Sequence, residues 1–248
     1  MSKSKFSKVV LTTVVTTFLL ALAGCGSEPE PTSSSLQPTN TAQPEIERIV
    51  LAQADPMPAS GRFELGRHYE RLPAAQGTSS SPDQIEVAEV FWYGCVHCYT
   101  FDPYLENWLE DLPEDVSFVR IPAVWNALLQ MHARAFYASE ALGVNEDVHS
   151  AFFREIHINR NGLDSQTALA VFFASHGVDT ADFNAAYESF AVNTRMNRAD
   201  ELARRYRISS VPTVIVNGKY TTDASMAGSY EELMELIDEL VAMERSGE

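Results

Sequence analysis

Apolar positions along this chain recur with two periods, two residues and about three and a half, and the switches between them mark its elements. Arg62-Phe63-Glu64-Leu65 reads as a short strand and residues 73–82, rich in Pro, Gly and Ser, as a loop. Residues 85–92 are apolar on both faces, as a central strand is, with Glu89 as the break in the run. Phe101, Leu105, Trp108, Leu109 and Leu112 then follow helical spacing. Pro103 either kinks that helix or, behind Asp102, opens a fresh one. Residues 116–121 alternate as a strand that Pro122 ends.

From Val124 to about Arg207 the pattern predicts helix after helix. Trp125, Leu128, Leu129, Ala135, Phe136 and Leu142 share one face, and Gly143 stops it. Residues 148–158 form the next. Asp164 or Ser165 caps a run through Phe172 and Phe173 to Gly177. Thr180 or Asp182 opens a short helix through Tyr187, and a polar one covers about 194–207. The period then returns to two over 211–216, with Asn217-Gly218 as a tight turn and 219–221 as the return strand. Ser229-Tyr230-Glu231-Glu232 is a capping box. It leads an amphipathic helix whose stripe is Tyr230, Leu233, Met234, Ile237, Leu240 and Val241, with a solvated acidic face opposite. The order is strand, strand, helix, strand, helical block, hairpin, helix: an α/β frame with a helical block inserted.

The first 60 residues follow neither period. Lys3, Lys5 and Lys8 precede an apolar run, 9–23, that is short and Thr-rich for a span of about 20 residues. Leu22-Ala23-Gly24-Cys25 resembles the lipobox of bacterial lipoproteins. The resemblance implies a signal peptide over 1–24 and a lipid on Cys25; the alternative is an ordinary signal peptide with a coincidental Cys. Gly26 in the position after the Cys leans, by the same sorting pattern, towards the outer membrane, facing the periplasm. Residues 25–60, rich in Pro, Ser, Thr, Gln and Glu, bury too little apolar surface to offset ordering and read as a disordered tether.

Charge narrows the partners. The chain has 18 Lys+Arg against 34 Asp+Glu, a net charge of −16. Such a surface argues against nucleic acid. Past the signal, Lys219 is the one lysine.

Cysteine usage carries the chemistry. With Cys25 assigned to the lipid, Cys95 and Cys98 remain, and a three-residue step closes too small a loop to serve as a structural staple. The pair sits where a strand hands over to a helix. A thiol there meets unpaired backbone N–H groups and the positive end of the helix dipole, both of which favour thiolate. Cys95 is then the nucleophile, Cys98 the resolving thiol one turn on, and His97 a further donor or cation. A Cys95 pKa lowered from about 8.5 to about 4.5 would favour the reduced form at pH 7 by roughly 3.4 kcal/mol, about 70 mV in the oxidising direction. The competing reading is half of a zinc site, which no second Cys pair completes, although histidines could.

Further residues bear on the pair. Glu89, a carboxylate in a buried strand, either faces solvent, pairs structurally with Arg120, or relays the proton of Cys98. Val211-Pro212 opens a strand, and spacing leaves its peptide isomer open. His132 lies on an apolar helix face and reads as a satisfied core histidine; His149, His157 and His176 suggest no site. Trp92 and Tyr93 either contact clients or pack the core.

These segments together resemble the DsbA family of periplasmic thiol–disulfide oxidases: 91–99 with Cys95-Val96-His97-Cys98, 116–120, 211–220, the stretch Phe63-Glu64-Leu65-Gly66-Arg67-His68-Tyr69, and Ala141-Leu142-Gly143-Val144. The resemblance spans about 61–241. It implies an α/β thioredoxin fold, here over 61–122 and 191–248, with an inserted α-helical domain over 123–190. It implies that Cys95 attacks, Cys98 resolves, His97 tunes the potential, Glu89 is the buried acid, and Val211 with a cis Pro212 holds the client backbone. Arg120 stands where a lysine is common, and Val96 replaces the proline of the best-known version. The implied activity is donation of the Cys95–Cys98 disulfide to exported proteins with reduced cysteines, without metal or organic cofactor, by a monomer that a DsbB-like quinone-linked membrane protein reoxidises. The rival readings are a reductase or isomerase of the same fold and a non-catalytic, client-binding lipoprotein.

Overall fold

The computed structural model describes residues 61–247. The expected strand over 62–65 does not form. Gly66, at φ 82°, turns the chain there, and the Gly66 N–H donates to the Tyr69 carbonyl at 2.8 Å, leaving Leu65 and Tyr69 only an isolated bridge. Strand β1 is instead Glu70–Arg71. Next come β2, Ile85–Phe91, α1, Val96–Glu110, and β3, Val116–Pro122. Helix α1 runs unbroken through Pro103, so Asp102-Pro103 is not a fresh start.

Five helices separate β3 from the next strand: α2 (Ala127–Leu142), α3 (Asn145–His157), α4 (Gln166–Ser175), α5 (Thr180–Tyr187) and α6 (Phe190–Arg205). Their caps explain their ends. The side chains of Asn126, Ser165, Asp179 and Ser189 each accept from backbone N–H groups of the first turn. Helix α5 opens at Thr180, the first of the two expected starts, with Asp179 as its cap, and α6 starts four residues before the expected Thr194 because Ser189 supplies its cap. Trp125 precedes α2 and is exposed, so it does not share that helix's buried face. The chain closes with β4 (Thr213–Val216), β5 (Tyr220–Thr222), the single turn α7 (Ala224–Ala227) and α8 (Tyr230–Ser246).

The five strands form one sheet in the order β1-β5-β4-β2-β3, in which β2 and β3 are parallel and the other pairs antiparallel. Strand β2 is central and buried almost throughout, as its two-sided apolar pattern requires. Alternate residues of β4 feed two cores on opposite faces. Val214 and Val216 join Val87, Phe101, Leu105, Leu236 and Ile237 on the side of α1 and α8. Ile215 joins Val90, Phe91, Phe136, Phe153 and Phe173 on the side of the inserted helices. Among the described residues, no helix is long and apolar enough to cross a membrane. Residues 1–24, Cys25 and the stretch 25–60 lie outside the described residues.

Candidate active site

Cys95 is the N-cap of α1, and its Sγ accepts from the Cys98 backbone N–H at 3.3 Å. The Cys95 N–H in turn donates to the Trp92 carbonyl at 3.0 Å, which holds the turn between β2 and α1 closed. The two sulfurs differ sharply in setting: Cys95 is half-buried, while Cys98 has no exposed surface. Both are free thiols in this structure.

That difference polarises the pair. A hydrogen bond from the Cys98 thiol, opposed by partial burial and aided by the Cys98 and His97 backbone N–H groups and the His97 charge, lowers the Cys95 pKa to about 6. Burial, with the donated hydrogen bond and the charges of Glu89 and Cys95, pushes the Cys98 thiol far up. The fall at Cys95 is smaller than the value of about 4.5 supposed from the sequence, because partial burial opposes the donors.

On the other side of the sulfur lies the loop before β4. Its Val211–Pro212 peptide is cis, and the Val211 carbonyl lies 3.4 Å from Cys95 Sγ. Val96 and His97, between the cysteines, face outward, Val96 at 57 % exposure. Tyr230, the first residue of α8, reads in the sequence only as part of that helix's capping box and apolar stripe. Its hydroxyl donates to the His97 carbonyl at 3.2 Å and lies 3.4 Å from His97 Nδ1, and its ring stacks on Phe101.

Glu89 does not face solvent: it is 2 % exposed in mid-β2 and aligned in register with Arg120 on β3. Burial raises its pKa to about 8 against the opposing pull of Arg120. At neutral pH it is therefore largely protonated, and its 3.6 Å contact with Arg120 Nε is charge to neutral acid. Arg120 is charged, as a guanidinium is at any ordinary pH, and Asp102 and Glu106 accept from its Nη2 at 3.1 and 2.7 Å. Asp102 was read only as a possible cap; it is 5 % exposed, and burial is outweighed there by His149 and Arg120, which hold its pKa low. Glu86, also missed, is 1 % exposed; its Oε2 accepts from the Ser79 and Ser80 N–H groups and the Ser80 hydroxyl. Among the described residues, no group of three or more His, Cys, Asp or Glu side chains is placed to hold a metal ion.

An acidified N-cap thiol, a buried partner one turn on, a buried acid beneath and a cis-proline loop across the sulfur are joined by similarity of sequence. A family model for the DSBA-like thioredoxin domain matches residues 114–237. The thiol:disulfide interchange protein DsbA of Azotobacter vinelandii is 43 % identical over 186 residues, 75 % of this chain and 86 % of the relative. This chain belongs to the DsbA family. The DsbA of Pseudomonas aeruginosa is 42 % identical over 197 residues, 79 % of this chain and 90 % of that protein. Its crystal structure superposes with a TM-score of 0.72, covering 75 % of this chain and 96 % of that one. The oxidoreductase NmDsbA3 of Neisseria meningitidis, 29 % identical, superposes at 0.65 over 75 % of this chain and 98 % of its own. The frame is thus the family's thioredoxin fold, with α2–α6 inserted between β3 and β4.

Proposed function

We propose that this chain is a thiol:disulfide oxidoreductase that passes its Cys95–Cys98 disulfide to exported proteins with reduced cysteines. A client thiolate attacks Cys95 Sγ, the Cys95–Cys98 bond breaks, and Cys98 leaves as thiolate and takes a proton. Glu89, largely protonated at neutral pH and close enough for its charge to act on Cys98, is the acid assigned to supply it. The client's second thiolate then attacks its own sulfur in the mixed disulfide, and Cys95 leaves as thiolate. The client dithiol is oxidised and the protein's disulfide is reduced to two thiols.

The observation that carries this reading is the Cys98 N–H held 3.3 Å from the N-cap sulfur. With a pKa of about 6, Cys95 is thiolate by about ten to one at pH 7. Allowing for solvent screening at a half-buried sulfur, this favours the reduced form by about 1 kcal/mol, about 20 mV in the oxidising direction. This supports an oxidase, with a weaker bias than the sequence suggested. The test is the reduction potential of the couple in a glutathione buffer. A value near that of thioredoxin, about −270 mV, overturns the oxidase direction in favour of a reductase. Retained dithiol oxidation by Cys95→Ser overturns the assignment of the dithiol altogether and favours the non-catalytic reading.

The remaining roles follow the resemblance. Val211 and Pro212 hold the client backbone, and His97 tunes Cys95. A DsbB-like quinone-linked membrane protein reoxidises the monomer. Residues 61–122 and 191–248 form the thioredoxin-like domain around the inserted helical domain, 123–190. The protein faces the periplasm from a lipid on Cys25, in the outer rather than the inner membrane. Release of Cys25→Ser from the membrane fraction, with lipid absent by mass, is the expected result; equal retention of variant and wild type refutes the anchor.

A further inference from the structure

Three histidines of the inserted helices converge on two consecutive residues, Trp92 and Tyr93, immediately before the active-site turn. His132 on α2 accepts the Trp92 Nε1–H on Nδ1 at 3.1 Å, and its ring stacks along the indole at 27°. His149 on α3 has Nδ1 2.8 Å from the Tyr93 hydroxyl, and its Nε2 lies 3.2 Å from Asp102 Oδ1. His157, at the end of α3, has Nε2 2.8 Å from the Tyr93 carbonyl, and its ring stacks on Tyr99 at 8°. These residues sit at 132, 149 and 157, so nothing in their spacing announces a common target.

His132 is the most constrained of the three. An indole N–H can only donate, so His132 Nδ1 must be unprotonated. The other nitrogen lies 3.2 Å from the Gly162 carbonyl, which can only accept, so Nε2 must carry the proton. A single neutral tautomer satisfies both partners; the imidazolium would set one N–H against another. The ring is 2 % exposed, and burial holds its pKa below the usual histidine range. The titratable and charged groups facing it are few: Tyr93 lies edge-on at 6.4 Å, and Asp164, beyond the Gly162 turn, favours the charged form without offsetting burial. Phe152, the neighbour from α3, is apolar and also edge-on. His157 differs in kind, since the Tyr93 carbonyl is the one hydrogen-bond partner of its ring described and constrains Nε2 alone.

The pinned indole matters because of what lies against it. Trp92 is partly buried, and a Cβ on Gly94 would collide with its six-membered ring. The indole therefore lies against the backbone of the turn that ends in Cys95, whose N–H is held by the Trp92 carbonyl.

We propose that the insert positions the active-site turn through this histidine cradle, with His132 as the residue that holds the Trp92 indole beneath Gly94 as part of the surface a client meets beside Cys95. The client half of this statement rests on the oxidoreductase reading; the positioning half does not. Gln can mimic the required tautomer, since its Oε1 accepts where Nδ1 does and its Nε2 donates where Nε2–H does, and it does not titrate.

The test uses the full chain labelled with 15N-tryptophan, the Trp92 Nε1–H resonance being identified by its loss in Trp92→Phe. In the wild type this proton should exchange slowly at pH 7 and lose protection with an inflection below about 6.5. His132→Gln should keep it protected without that inflection, and His132→Leu should expose it at every pH. With a reduced model peptide at pH 7, His132→Leu should raise KM several-fold with kcat within about twofold, and His132→Gln should restore KM. An inflection that persists in His132→Gln, or a KM unchanged in a folded His132→Leu, overturns the proposal. Should His132→Leu fail to fold, the wild-type and His132→Gln titrations still decide it. Activity retained by Cys95→Ser would remove the oxidoreductase reading while leaving the indole resonance and its test untouched.

Discussion

The Sγ of Cys95 lies 3.4 Å from the carbonyl oxygen of Val211, a residue 116 positions further along the chain. A carbonyl can accept from the thiol but offers nothing to the thiolate. The thiolate is favoured from the other side, by the Cys98 thiol and N–H. Thiolate absorbance of the reduced protein should therefore titrate with an inflection near 6; one near the ordinary thiol value of about 8.5 would show that the donors do not act.

The largest cause of that acidity is the hydrogen bond from the Cys98 side chain. Cys98→Ala removes the donor and keeps the backbone N–H. Its Cys95 inflection should rise by about one unit. Cys98→Ser, which retains a hydroxyl donor, should fall between wild type and Ala in the same titration. Equal values for all three would place the effect in the backbone alone.

Glu89 links stability to alkaline pH. Its folded pKa of about 8 lies above its ordinary 4.5, so the folded state holds the proton more tightly. Its contribution is fully present below 4.5 and is lost as pH rises through 8. Glu89→Gln cannot ionise, and should be more stable than wild type by about 1–3 kcal/mol at pH 7–8, with the gap closing towards pH 4. Urea unfolding across that range measures it; a gap independent of pH would contradict the shift.

The histidines act at the other end of the scale. Burial lowers the pKa of both His132 and His149, so each takes up a proton more readily when unfolded. Their contribution is present above about 6.5 and is lost as pH falls towards their folded values. The double variant His132→Gln/His149→Gln should flatten the loss of stability just below pH 6.5. An unchanged slope in chemical denaturation would show that these rings titrate normally.

The elements and the reacting pair were legible because their signals are local. Period-two and helical spacing, the capping box at Ser229 and the Asn217-Gly218 turn depend on neighbours a few residues away; the capping box and the turn fall where expected, while β4 begins two residues after the expected 211 and α3 three residues before the expected 148. Where local signals conflicted, the expectation slipped. Arg62-Phe63-Glu64-Leu65 has strand character, but Gly66 turns the chain and β5 pairs with Glu70–Arg71 instead. Ser189 could cap a helix as well as Thr194 could enter one, and the longer helix forms.

The CxxC pair, its placement at a helix start and the strand that carries Glu89 follow from residue order, because an N-cap and a strand position are properties of consecutive residues; that Glu89 points inward rather than to solvent does not. Which groups would surround them does not follow. Tyr230 reaches His97 across 133 residues, Val211 reaches Cys95 across 116, and three histidines from two inserted helices meet on Trp92 and Tyr93. Those meetings are set by how the helices dock on the sheet. Burying the apolar faces of α2 and α3 against Phe91 and Tyr93 leaves the polar atoms of that interface to find partners with one another, and no spacing along the chain encodes which ones they find.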